Sequence, residues 1–136
     1  MTRPAPRPAP STQGLAAAFA VSGVVHLVRP RTFEPLMPAR LPAHTALIKG
    51  SGVAELVCAA GLLHPRTRRA AGLASAALLV GVFPGNVTMA WRARRSRNAA
   101  YRWGTVARLP LQVPLVRVAL RAARDESGSR RGRGRQ

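Results

Sequence analysis

The chain has 136 residues, 22 of them basic and only 4 acidic, giving a formal charge of +18, yet 47% of it is apolar. That length holds one domain, and a single cysteine excludes both an intramolecular disulfide framework and a Cys-based zinc site. The charge suggests nucleic acid through phosphate neutralisation, but a soluble binder interleaves charges with apolar residues on amphipathic helices, and here the two are segregated.

Taken in chain order, MTRPAPRPAPSTQ is a Pro-rich lead whose residues 1–12 are expected to be extended or disordered, because proline disfavours helix and favours an open backbone. The first apolar span follows over 13–28, inside the 21 uncharged residues that separate Arg7 from Arg29. Ala18-Phe19-Ala20 resembles a signal-peptidase site, but Leu15 to Ala18 is too short an apolar core before it, so an uncleaved membrane helix is expected. Prolines 30, 35, 38 and 42 then exclude a helix, leaving Phe33, Leu36, Met37 and Leu41 within reach of the membrane interface. A second span, 45–63, carries Lys49 near its start and Glu55 at its middle.

After the basic turn HPRTRR comes the clearest span, the 22 uncharged residues of 70–91, with Pro84 as an expected kink. A stretch of 18 or more apolar residues can cross about 30 Å of hydrocarbon as a helix. The basic loop WRARRSRNAAYRW is flanked by Trp91 and Trp103, with Tyr101 beside the second, and such aromatics favour the interface. The fourth span, 104–123, is interrupted by Arg108 and Arg117 and bent by Pro110 and Pro114; Leu109, Leu111, Val113, Leu115, Val116, Val118 and Leu120 carry it. Residues 124–136 read as a basic disordered tail that attracts anionic lipid. The expected fold is therefore all-α: an integral membrane bundle of four transmembrane helices, with no nucleic-acid partner.

Four spans place both termini on one side. Eleven arginines flank that side against eight on the other, which by the positive-inside rule puts both termini in the cytoplasm. An ionised side chain near the bilayer centre costs roughly 2.5–3.5 kcal/mol on insertion scales and normally faces the bundle interior with a partner. In antiparallel spans, His26, Lys49, Asn86, Arg108 and Gln112 fall in the half of the membrane nearer the two long loops, with Glu55 at the floor of the group.

Each residue also has a plain structural role open to it. His26 suits a hydrogen-bonded interface histidine as well as a proton carrier. Glu55 and Arg108 suit an ion pair between the second and fourth helices. Asn86 and Gln112 suit interhelical hydrogen bonds worth about 0.6 kcal/mol each. Lys49 and Arg117 suit snorkelling, and Cys58 suits core packing. Gly81 and Gly85 match GxxxG, with Pro84 between them arguing against a dimer motif. His44 and His64 lie on opposite sides of the membrane, so no His-based metal site is expected. There is no Ser-His-Asp arrangement, phosphate-binding glycine loop or carboxylate pair.

The run SGVVHLVRPRTFEPLMPARLP, followed by SGVAEL, VFPGNVTMA and RLPLQVPLV, resembles small bacterial membrane proteins of the DoxX-like family over residues 14–123. The resemblance implies a four-helix protein of the bacterial cytoplasmic membrane. It also implies that the recurrent polar positions are His26, Glu55, Asn86, Arg108 and Gln112. The family takes its name from a subunit associated with a quinone-reducing thiosulfate oxidoreductase; no cofactor is evident in the residues themselves, and the name together with the polar group makes a quinone the candidate ligand and a membrane redox protein the candidate partner. The expectation is an accessory or small-ligand-binding protein without independent activity. The alternatives are an oxidoreductase subunit acting with a partner, and a purely structural or partner-binding membrane protein. Cys58, being alone, argues against a dithiol mechanism.

Overall fold

The computed structural model describes residues 7–34, 37 and 42–133, with side chains through Arg124. The first six residues of the Pro-rich lead, the loop residues 35, 36 and 38–41 (Leu36 and Leu41 among them), and the last three residues of the tail lie outside the described residues. The described residues form four helices, α1 (Pro10–Val28), α2 (His44–Leu63), α3 (Arg68–Ala93) and α4 (Ala99–Arg133), with a 3-10 turn at Pro30–Thr32.

Helices α1 and α4 depart most from the expected spans, and their starts do so for local reasons. Helix α1 begins inside the Pro-rich lead because Pro10 occupies its first turn, where a missing N–H costs nothing. Helix α4 begins at Ala99 rather than 104, where the Asn98 side-chain oxygen accepts the Tyr101 N–H at 3.1 Å and so satisfies an otherwise orphaned donor. It also runs on through Arg133, so residues 124–133 are helical where a disordered tail was expected.

Helices α1, α2 and α3 are long and apolar enough to cross a membrane. Helix α4 is not among them, because Arg102, Arg108, Gln112 and Arg117 dilute its apolar surface. Only 28%, 33% and 28% of the three spanning windows are buried within the protein, so each presents a broad apolar face outward. Val21, Val28, Val53, Val57 and Val80 are among the exposed side chains, as a lipid-facing surface requires.

The helices pack in a ring. The interfaces α1–α2 and α3–α4 are the most extensive, α2–α3 is intermediate, and α1–α4 is the thinnest; neither α1 with α3 nor α2 with α4 forms a packed interface. The core combines Leu15, Phe19, Leu62 and Leu79 with many small residues, including Ala16, Ala59, Ala71, Ala76, Ala119 and Ala122. Lipid tails are as apolar as leucine, so membrane helices gain from close backbone approach at small residues. At Gly23, a Cβ would lie 2.7 Å from the Gly52 carbonyl oxygen; at Gly72, one would lie 2.6 Å from that of Ala119. Gly81 and Gly85 have open space where a Cβ would stand, so the GxxxG pair takes no part in packing within the bundle.

These environments predict opposite signs for one substitution. Gly72→Ala should destabilise the bundle by about 1–3 kcal/mol, because the new methyl meets backbone that cannot yield. Gly81→Ala should instead stabilise it by up to about 1 kcal/mol through helix propensity. Reversible unfolding in mixed detergent micelles reads both values, and equal effects at the two positions would contradict the packing described.

Candidate functional site: two polar pairs and an open seam

The five polar residues singled out from the sequence do not form one cluster of mutual contacts. They divide between the two strongest helix pairs and the thinnest one. On α1–α2, the His26 Nδ1 lies 3.1 Å from Glu55 Oε2 and 2.9 Å from the Ser22 carbonyl oxygen. A carbonyl oxygen can only accept, so in the neutral ring Nδ1 carries the proton and Nε2 keeps the lone pair. Phe33, just after the 3-10 turn, stacks on the imidazole with ring centroids 4.1 Å apart. The turn is held near α2 by Thr45, whose hydroxyl donates to Glu34 Oε1 at 2.8 Å. Glu55 is buried, and the imidazole supplies the partner that a carboxylate in an apolar setting needs.

The expected Glu55–Arg108 ion pair is therefore replaced by Glu55–His26. Glu55 is on α2 and Arg108 on α4, diagonal members of the ring that form no packed interface. A reading of depth along the membrane normal does not tell which helices are neighbours.

On α3–α4, Asn86 Nδ2 donates to Gln112 Oε1 at 3.2 Å, and Gln112 Nε2 donates to the Leu79 carbonyl oxygen. Leu79 lies in the turn before Pro84, where the missing proline N–H leaves the Val80 carbonyl without its helical donor. These two amides satisfy each other and the backbone, which makes them links between helices.

Arg108 is exposed and makes no hydrogen bond or ion pair among the described residues. It lies at the α1–α4 seam, where it joins Ala17, Ala18, Val21, Ser22, Val25 and Phe33 in lining an open groove of about 510 Å³. Ser22 and Phe33 are also the residues that hold His26, so the groove wall and the His26–Glu55 pair share two side chains. An apolar trough with one guanidinium suits an amphiphile whose polar end accepts hydrogen bonds.

Residues outside the predicted set also matter. Ser22 and Phe33 connect the imidazole to the groove. Arg68, read from the sequence only as a flanking charge, is buried. Its Nε donates to the Leu62 carbonyl at 3.0 Å and its Nη2 to that of Leu63 at 3.4 Å. It thus places positive charge on the carbonyl end of α2, where orphan acceptors and the helix dipole favour a cation. Of the remaining candidates, Lys49 and Arg117 are exposed and Cys58 is buried. No group of three or more His, Cys, Asp or Glu side chains is arranged for a metal ion among the described residues.

A family model described as a domain of unknown function, DUF8561, matches residues 15–123. The chain belongs to this family. The match begins within α1 and ends within α4, so the DUF8561 domain takes in both polar pairs and the seam. No curated protein matches the chain, and no solved structure does.

The amide link gives a direct test. Gln112→Leu should cost about 0.6–1.7 kcal/mol of bundle stability, the range measured for membrane interhelical hydrogen bonds. Adding Asn86→Leu should then cost little more, because its partner is already gone. A double-mutant cycle of detergent unfolding measures this, and strictly additive losses would show that the two amides act separately.

Proposed function

We propose that this DUF8561 member is a DoxX-like, four-span protein of the bacterial cytoplasmic membrane, with both termini cytoplasmic, that binds a small amphiphilic ligand of the quinone class as an accessory component. The observation that carries this reading is Arg108, an unpaired guanidinium in an apolar lateral groove beside a hydrogen-bonded His26–Glu55 pair. Arg108 would donate to a carbonyl oxygen, and the walls of Val21, Val25, Ala17 and Ala18 would accommodate an apolar tail. His26, with its proton on Nδ1 facing Glu55, leaves Nε2 as the ring nitrogen able to exchange a proton. Electrons for any redox step would come from a separate membrane oxidoreductase, since the chain offers no dithiol. Asn86 and Gln112 are excluded from ligand contact in this reading, because their amides are already engaged.

Four spans require α4 to cross despite Arg108 and Arg117. Arg117 can snorkel, and Arg108 has the groove and its ligand. A purely structural or partner-binding role is the second reading, favoured by the internal satisfaction of both polar pairs.

Titrating a water-soluble menaquinone or ubiquinone analogue into detergent-purified protein, followed by Trp91 and Trp103 fluorescence, should give saturable quenching. Arg108→Ala should weaken binding about tenfold or more, as expected for losing a hydrogen bond from a charged donor, while Arg117→Ala should leave it unchanged. Linear quenching indifferent to Arg108 would mean partitioning into the micelle and would favour the structural reading. Separately, a C-terminal alkaline phosphatase fusion should be inactive and a cytoplasmic reporter active at the same position; the reverse pattern would invert the proposed orientation.

A further inference from the structure

The turn between α3 and α4 holds an excess of charge that the bundle does not use. With the helix ends beside it, it carries Arg92, Arg94, Arg95, Arg97 and Arg102, and no acidic residue occurs between Glu55 and Asp125. None of the five arginines forms an ion pair among the described residues. The backbone that carries them is nevertheless well ordered by hydrogen bonds. The Arg95 N–H donates to the Arg92 carbonyl at 3.2 Å and the Ser96 N–H to that of Ala93 at 2.9 Å. The Asn98 N–H donates to Ser96 Oγ at 3.2 Å, and Asn98 Oδ1 caps α4.

Two of the five arginines border one concavity. Arg94 and Arg102 join Trp103 and Val106 in lining an open concavity of about 260 Å³. Arg94 is steadied from behind by Trp91, its guanidinium carbon 4.8 Å from the ring centroid, a distance at which the ring face attracts a cation. Trp91 and Trp103 are 68% and 69% exposed, which marks the level where an amphipathic ring meets both headgroups and acyl chains. The concavity thus combines two arginines with a largely apolar lining, at the end of a helix long enough to cross the bilayer.

We infer that this concavity binds one anionic phospholipid, its phosphate between Arg94 and Arg102 and the start of its acyl chain over Trp103 and Val106. Charge complementarity selects the phosphate, which arginine engages through paired N–H donors. The apolar lining selects an amphiphile held in the membrane over a soluble polyanion, whose sugar and phosphate groups would gain nothing from Trp103 and Val106. The site is separate from the basic segment beyond Ala123 and from the Arg108 groove. It requires only that α3 cross the membrane, so it stands or falls independently of quinone binding.

The test uses Trp91→Phe protein, in which Trp103 is the sole tryptophan, reconstituted into vesicles containing brominated phosphatidylglycerol or brominated phosphatidylcholine at equal mole fraction. Bromine quenches a tryptophan it touches, so relative quenching reports relative occupancy. Phosphatidylglycerol should be preferred at Trp103 by roughly fivefold per engaged arginine. The preference should collapse in Arg94→Gln/Arg102→Gln but persist in Arg95→Gln/Arg97→Gln, which removes the same charge outside the concavity. Retained quenching by phosphatidylcholine in each variant reports that the protein still inserts. Equal quenching by the two lipids would overturn the proposal. So would an equal loss of preference in both double variants, which would assign the effect to diffuse surface charge.

Discussion

The close approach of α1 and α2 at Gly23 and Gly52 is the constraint on which the polar architecture rests. A Cβ at Gly52 would stand 2.8 Å from the Cβ of His26 and 2.9 Å from the Gly23 carbonyl oxygen. The two backbones are therefore about as near as helices can be. His26 follows Gly23 by three residues and Glu55 follows Gly52 by three, so each polar side chain lies on the face its glycine brings inward. Without that proximity a buried glutamate would face an apolar interior alone, a situation membrane proteins avoid. The close crossing and the His26–Glu55 contact are thus a single arrangement, made possible by two residues with no side chain.

The α3–α4 pair reaches a similar result by different means. Gly72 and Ala119 allow contact at one end of the interface, while Asn86 and Gln112 link it further along. Arg68 closes the adjoining end of α2 by donating to its last carbonyls. Most polar groups inside the bundle are thereby occupied with one another or with backbone. Arg108 differs: it sits at the thinnest interface and has no protein partner among the described residues. Lys49 and Arg117 likewise form no ion pair among the described residues, so what sets Arg108 apart is its place in the groove at that seam.

Much of the helical framework was legible in the sequence, because a long uncharged run such as Ala70–Trp91 can satisfy its backbone in lipid only as a helix. Boundaries were less legible where hydropathy and local chemistry disagree. Asn98 is an ordinary helix-capping residue, but the arginines around it hid the start of α4 from a hydropathy reading. The polar set was grouped by expected depth, and that left its pairing open. Depth is a one-dimensional coordinate, and it cannot distinguish a neighbour in the ring from a diagonal partner. That is why Glu55 was matched to Arg108 when His26, on the adjacent helix, was the partner. Phe33 carried no signal beyond its apolarity, since its stacking on His26 depends on how the loop folds back.

The thin α1–α4 seam has a bearing on how any occupant would be met. In the proposed four-span arrangement, a groove along the α1–α4 seam would open sideways, toward lipid. A molecule entering there comes from a two-dimensional reservoir in which amphiphiles are already enriched and already oriented by depth. Its occupancy then follows its mole fraction among the surrounding lipids. Adding lipid or detergent dilutes that reservoir and weakens the apparent affinity, even when the aqueous concentration is unchanged.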